Sequence, residues 1–276
     1  KRKRELFNDD WKFINEDLVD AHLHSFDDDN WRELSLPHDW AIEGPFTEEV
    51  SFKGGYLPYP GVGWYRKSFS PTLISGNLYL EFGGIMRNSK VFLNGEYIGG
   101  WPYGYTSFKL DITDKVIENV ENVIAIRVDN QDRSSRWYPG SGIYRNVWMN
   151  QTHLTHVDHW GTYITTPEIK KDYAKIVVET DLVNKQKDSV SIELITSIFN
   201  SDGNLVARTN NNGIEIASES KTQVSSELIV ENHQLWDLEN PHLYTAQSEV
   251  ILNGEIIATY DTKFGVRSIG FATAQG

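Results

Sequence analysis

The sequence contains no cysteine, which excludes a disulfide framework, a thiolate zinc site and a cysteine nucleophile. No apolar run approaches the ~18–20 residues of a membrane-spanning helix, so no membrane partner is expected. Positive charge is scarce too: 26 Lys and Arg face 39 Asp and Glu, for a formal net charge of −13. Phosphate backbones demand a positive field, so a nucleic-acid partner is not expected either. A neutral ligand suits this balance better than an anionic one. Long helical periodicities with caps are missing, and only Ile112 to Ile117 reads as a short helical turn. There is no Gly-x-Ser-x-Gly, no phosphate-binding glycine loop and no zinc signature, so no cofactor is expected.

What the sequence does have is aromatics and two-residue periodicity. Its 276 residues, at roughly 150 per domain, point to about two domains. Leu78, Leu80 and Phe82 alternate with Tyr79 and Glu81, which predicts a half-buried strand. Val91-Phe92-Leu93, Asn94-Gly95 and Glu96-Tyr97-Ile98 predict a hairpin, because Asn-Gly supplies the two positive φ values of a type I′ turn. Asn253-Gly254 predicts a second one between Val250-Ile251-Leu252 and Ile256-Ile257. Ile124, Ile126 and Val128 share one face; Ile176, Val178, Thr180 and Leu182 form another row, and Val190, Ile192, Leu194 and Ile198 a third. Many short strands punctuated by Gly, Asn and Asp predict an all-β protein of packed sandwiches.

The texture changes between Asn150 and His156. Before it lie most of the Trp and the Gly-Tyr-Pro-rich loops; after it, plain Thr, Ser, Val and Ile alternation runs for the ~100 residues of an immunoglobulin-like domain. Both ends read as cut. Lys1-Arg2-Lys3-Arg4 has neither Met nor a signal-peptide core, and Phe271 to Gly276 reads as a chain entering another element. The lack of cysteine is compatible with periplasm or cytoplasm, and a periplasmic or secreted setting is favoured.

Three stretches gather Trp and Tyr with Gly and Pro: residues 56–65, Trp101-Pro102-Tyr103-Gly104-Tyr105, and Arg136-Trp137-Tyr138-Pro139-Gly140-Ser141-Gly142. A ring on a loop offers a flat apolar face with a polar handle, which suits a sugar; a ring plugging its loop against the core is the competing account. In the third stretch a guanidinium beside two rings can both stack and donate. Asp27-Asp28-Asp29-Asn30 lacks the spacing of a calcium loop and reads as a solvated turn before a buried Trp31. His38-Asp39 is either a hydrogen-bonded pair in a cleft or, with more weight, a structural pair serving loop backbone. His153, His156 and His159 are spaced to scatter over both strand faces, so no metal site is expected. Catalytic carboxylates must come as a pair, and nothing singles out two among Asp39, Glu43, Glu48 and Glu49.

Beyond these residues, a resemblance adds more. Leu36-Pro37-His38-Asp39-Trp40-Ala41-Ile42-Glu43-Gly44, Gly61-Val62-Gly63-Trp64-Tyr65-Arg66, Val91 to Gly95, Gly104-Tyr105-Thr106-Ser107-Phe108, Arg136 to Val147, Glu239-Asn240-Pro241-His242-Leu243-Tyr244 and Phe264-Gly265-Val266-Arg267 follow in an order that resembles glycoside hydrolase family 2. The resemblance implies a jelly-roll sugar-binding domain over residues 1–151 and an immunoglobulin-like sandwich over 152–265. Residues 266–276 would start the linker into a (β/α)8 barrel. It also implies that the acid/base and the nucleophile are two barrel glutamates absent from this chain, so no catalytic residue is assigned here. Sugar contacts are expected from Arg136, Trp137 and Tyr138, with His38 and Asp39 nearby. In the best-known β-galactosidases the position of Arg136 is a sugar-contacting Asp, an acceptor where Arg donates. The expected role is the non-catalytic part of a retaining exo-β-glycosidase, a β-galactosidase in wording; an independent carbohydrate-binding module is the alternative. The expected partners are a carbohydrate substrate and the barrel of the same chain, and a homo-oligomer is left open.

Overall fold

The computed structural model describes residues 3–44, 61–72, 76–130 and 140–270. They fall into two compact units, Lys3–Gln151 and the chain from Thr152 onward. The first contains β1 (Lys3–Leu6), β2 (Trp11–Ile14), β3 (Arg32–Leu34), β4 (Gly61–Phe69), β5 (Asn77–Phe82), β6 (Ser89–Leu93), β7 (Glu96–Trp101), β8 (Phe108–Asp111), β9 (Asn122–Asn130) and β10 (Val147–Thr152). The second contains β11 (Thr155–Ile169), β12 (Tyr173–Asn184), β13 (Val190–Phe199), β14 (Leu205–Ile216), β15 (Ser220–Glu231), β16 (Tyr244–Leu252) and β17 (Glu255–Phe264). Among the described residues there is no α-helix, only a 3-10 turn at Trp40–Ile42. No helix among them is long and apolar enough to cross a membrane, which says nothing of a β-barrel.

The first unit is a jelly-roll sandwich: a four-stranded sheet β1-β10-β5-β8 and a six-stranded sheet β3-β2-β4-β9-β6-β7. Inward residues of both sheets, among them Trp11, Tyr65, Phe82, Ile124, Ile126 and Val147, make one apolar core. β5 is not the half-buried strand its alternation predicts, because every one of its residues is buried. Leu78, Leu80 and Phe82 enter the core, while Glu81 on the other face is covered by its partners. Arg4 Nη2 donates to Glu81 Oε1 across 3.0 Å and Asn150 Nδ2 to Oε2 across 3.3 Å. The alternation reports which side a residue faces, not whether that side is wet.

A second apolar cluster lies on the opposite face of the six-stranded sheet. There Trp64 and Ala125 project from β4 and β9 and meet Ala21 and Trp31. The excursion between β2 and β3 is fastened there by Arg66, 2% exposed. Its guanidinium donates to Ala21 O (2.6 Å), Leu23 O (3.0 Å) and Asp28 Oδ2 (2.7 Å). Asp28 also accepts from Lys12 Nζ across 2.6 Å. The acidic run is therefore not simply a solvated turn: Asp28 neutralises a buried arginine, and a buried charge persists only when paired. Trp31 is buried, as the reading of that turn expects.

The second unit is an immunoglobulin-like sandwich, β11-β12-β15 against β14-β13-β16-β17. Ile176, Val178 and Leu182 of β12 and Ile192, Leu194 and Ile198 of β13 line its core. Between the sheets, Thr196 donates to Ser226 Oγ across 3.2 Å, a buried polar pair in place of any disulfide. Both Asn-Gly hairpins form, with φ of 51° and 86° at Asn94-Gly95 and 54° and 82° at Asn253-Gly254. Ile112 to Ile117 does begin as a helical turn, closed by Val116 N–H to Ile112 O at 3.1 Å. His153 accepts from Thr155 N–H, His156 is buried and His159 stacks on Trp160. Among the described residues no three His, Asp or Glu are grouped to hold a metal.

Candidate functional site

The segment after β3 is stitched by backbone hydrogen bonds to residues 141–143, which follow the Arg136 region. His38 N–H donates to Ile143 O and Trp40 N–H to Ser141 O, each at 2.9 Å. Asp39 is half in the 3-10 turn, with extended backbone, and its Oδ1 accepts from Ala41 N–H at 2.9 Å, capping the turn. The same oxygen accepts from Ser141 N–H at 2.8 Å. Asp39 thus serves loop backbone, the structural role that carried more weight in the sequence.

Ser141 and its neighbours also fasten the far side. Asn130, the last residue of β9, donates from Nδ2 to Ser141 Oγ at 2.6 Å and to Gly140 O at 3.3 Å. Met86 and Gly142 exchange two backbone hydrogen bonds of 2.9 and 2.8 Å. Gly142 has φ of 128°, and a Cβ there would lie 2.4 Å from Tyr65 Oη and 2.6 Å from His38 O. Only glycine fits. Arg136, Trp137 and Tyr138 lie outside the described residues, but both flanks of their segment are held by buried, hydrogen-bonded groups.

His38 enters a different network from Asp39. Its Nδ1 lies 2.6 Å from Tyr65 Oη. Its Nε2 lies 2.7 Å from Arg32 Nη2 and 3.0 Å from Glu43 Oε1. Arg32 grips both oxygens of Glu43, Nη1 to Oε2 at 3.0 Å and Nη2 to Oε1 at 2.6 Å, a bidentate pair. An Nε2 facing Arg32 must accept, and an Nε2 facing Glu43 must donate. One nitrogen cannot do both, so two tautomers compete, and the Tyr65 hydroxyl satisfies Nδ1 in either by donating or accepting.

The electrostatics follow from burial and pairing. Desolvation lowers the pKa of His38 below the ordinary 6.5, opposed by Glu43, so the ring is neutral at pH 7. The Arg32 hydrogen bond lowers Glu43 below the usual carboxylate value. Burial pushes the Tyr65 phenol well up. Beside this network opens a cleft of about 420 Å³, whose lining includes Phe13, Trp31, Arg32, Trp40, Glu43 and Gly44. Arg32 and Glu43 face solvent, whereas the His38 side chain behind them is 8% exposed.

A carboxylate held ionised by a bidentate arginine is a poor general acid. Sequence reasoning missed Arg32, Tyr65 and Asn130 as partners of His38 and Ser141, since their contacts span up to 27 residues and no local pattern links them. Glu43 did appear among the acidic candidates, without its arginine.

Comparison with known proteins gives this geometry its context. Residues 155–267 match the family model for glycosyl hydrolases family 2, and residues 26–134 match that for the β-galactosidase second all-beta domain. A β-galactosidase of Bacteroides ovatus is 41% identical across 100% of this chain and 33% of its own length. A β-glucuronidase of Formosa agariphila is 30% identical over 98% of this chain and 30% of its own. The crystal structure of a family 2 member from Bacteroides cellulosilyticus superposes with a TM-score of 0.93 at 34% identity, covering 97% of this chain and 36% of that one. The chain spans about a third of the length of these relatives. With the ordered motifs, the two sandwiches and these matches, the chain belongs to glycoside hydrolase family 2, corresponding to the N-terminal part of its β-galactosidase- and β-glucuronidase-like members.

Proposed function

We propose that this chain is the non-catalytic N-terminal part of a retaining exo-β-glycosidase with β-galactosidase specificity. The parent reaction hydrolyses an O-glycosyl bond in two displacements through a glycosyl-enzyme intermediate, which takes two carboxyl groups ~5–5.5 Å apart. Here Glu43 is committed to Arg32 and Asp39 to backbone N–H groups. The family resemblance supplies the catalytic pair as two glutamates of a barrel that would follow the linker at residues 266–276. In this reading residues 1–151 form the sugar-binding domain and 152–265 a spacer sandwich. Arg136, Trp137 and Tyr138 lie at the sugar, with His38 and Asp39 holding the surrounding backbone.

The observation that carries the proposal is the end-to-end match at 41% identity to a β-galactosidase three times longer. The test is a panel of nitrophenyl glycosides given to this chain continued by a family 2 barrel. Galactoside turnover with retained anomeric configuration is expected. Preference for the glucuronide would overturn the sugar assignment, and an inverted product would overturn the mechanism.

A further inference from the structure

We infer that Asn253 is a site of spontaneous conversion to aspartate and isoaspartate through a succinimide, and that Asn94, in an identical tetrapeptide, is not. The inference does not depend on the sugar, the reaction or the barrel. Leu-Asn-Gly-Glu occurs twice, as Leu93-Asn94-Gly95-Glu96 and as Leu252-Asn253-Gly254-Glu255. Each forms the two-residue turn of a hairpin, with Leu93 opposite Glu96 and Leu252 opposite Glu255. Their backbones match, with φ of 51° and 86° in one turn and 54° and 82° in the other. Local sequence and turn geometry therefore give the two asparagines the same intrinsic chemistry, and only their surroundings differ.

In this chemistry the backbone nitrogen of the following residue attacks the asparagine Cγ and closes a five-membered ring. The N–H proton passes to a base in the solvent, and the side-chain nitrogen leaves as ammonia. Water then opens the succinimide at either carbonyl, giving aspartate or isoaspartate. Glycine favours the attack because no side chain shields its nitrogen and its backbone rotates freely. The demand on the protein is motion: the asparagine side chain must swing toward the glycine nitrogen while the turn gives.

At Asn94 that motion is blocked. Its Nδ2 donates to Asn122 Oδ1 at 2.8 Å, and its Oδ1 accepts from Val123 N–H at 2.9 Å. Asn122 is itself buried and bonded to the backbone of Ile117 and Val120. The turn is covered as well: a Cβ on Gly95 would lie 3.7 Å from Leu23 Cα and 3.9 Å from His22 O. Reaction at Asn94 has to break both side-chain bonds and leave their partners unsatisfied. Asn253 is exposed, and its side chain has no hydrogen-bond partner among the described residues. A Cβ on Gly254 would meet nothing within 4 Å. The remaining Asn-Gly pair, Asn212-Gly213, lies inside β14 between Asn211 and Ile214, which pair with Leu194 and Ile192. That strand has to open on both sides before Asn212 reacts. At Asn253, isoaspartate adds one backbone carbon to a two-residue loop, which disturbs the register of β16 with β17.

The experiment ages this 276-residue chain at neutral pH over weeks, with a parallel sample unfolded in guanidinium chloride. Aliquots are digested rapidly at mildly acid pH, so that no conversion occurs during digestion. Peptide mass spectrometry follows the amide-to-carboxylate mass gain at each Asn-Gly pair, and electron-transfer fragmentation separates isoaspartate from aspartate. Each native rate is divided by the rate of the same site in the unfolded chain. On that scale Asn253 is expected to convert on the order of thirtyfold faster than Asn94, the factor set by two side-chain hydrogen bonds. Isoaspartate is expected among its products. Equal scaled rates at Asn94 and Asn253 overturn the inference. So does an Asn253 that stays intact in the native chain while it converts in the unfolded one, or conversion of Asn212 ahead of it. Turnover of glycosides bears on none of these results, so the proposed function stands or falls separately.

Discussion

The side-chain amide of Asn130 donates to the Ser141 hydroxyl across 2.6 Å, so the two flanks of residues 131–139 are fastened to each other. Asp39 holds Ser141 from the opposite side through its backbone N–H. The segment that resembles the sugar-contacting stretch of family 2 thus springs from a base of buried hydrogen bonds. A contact residue is only as well placed as the groups that support it.

Replacing Asp39 tests that base. Asp39→Ala strips the acceptor from two N–H groups, Ala41 and Ser141, and the expected loss is about 2–3 kcal/mol. Asp39→Asn keeps a side-chain oxygen and loses less. Urea denaturation followed by Trp fluorescence measures both, with the two units allowed separate transitions.

Gly142 and Gly203 separate crowding from backbone conformation. Gly142→Ala drives a Cβ to 2.4 Å from Tyr65 Oη at φ of 128°, whereas Gly203 at φ of 80° has open space around it. Gly142→Ala is expected to cost about 3 kcal/mol or more, and Gly203→Ala about 1 kcal/mol. Equal losses in thermal melts would contradict the packing described around His38.

Acid should weaken the jelly roll through His38. Its pKa is lowered by burial when folded, so below the ordinary 6.5 the unfolded chain takes up a proton that the native ring resists. Stability is therefore full above about pH 6.5 and falls as pH drops from there toward the folded value, by at most ~1.4 kcal/mol per pH unit. Glu43, lowered chiefly by Arg32, adds a loss in the same direction at lower pH, as it is protonated. The unfolding free energy of His38→Gln, measured between pH 5 and 7.5, should show a shallower slope than the wild type; an unchanged slope would remove His38 from the account.

Arg66 is expected to be the costliest polar side chain of the first unit to remove. Arg66→Met leaves Asp28 with Lys12 alone and abandons four backbone carbonyls, those of Ala21, Leu23, His24 and Phe26, for an expected loss of about 3–5 kcal/mol. The double change with Asp28→Asn should recover part of it, and a double-mutant cycle in urea measures the coupling.

The distance over which partners meet decided what could be read in the sequence. The Asn94-Gly95 and Asn253-Gly254 hairpins were legible because each turn and the two strands it joins are continuous in the sequence. The rows from Ile124 and Ile176 were legible because alternation fixes a face. The full burial of β5 was not, since Arg4 reaches Glu81 from 77 residues away. Asp28 looked like one carboxylate of a solvated run for the same reason, its arginine being 38 residues distant. At the site, the order of motifs brought His38, Asp39 and Ser141 to notice, but their division into two networks depends on Tyr65 and Arg32 meeting in space.

The central claim is that this chain shapes a glycosidase site without performing its chemistry. The most direct measurement is release of nitrophenol from nitrophenyl β-D-galactopyranoside by the purified 276-residue chain, at high protein concentration and over days. The account predicts a rate no greater than buffer. Turnover by the chain alone, persisting through repeated purification, would contradict it.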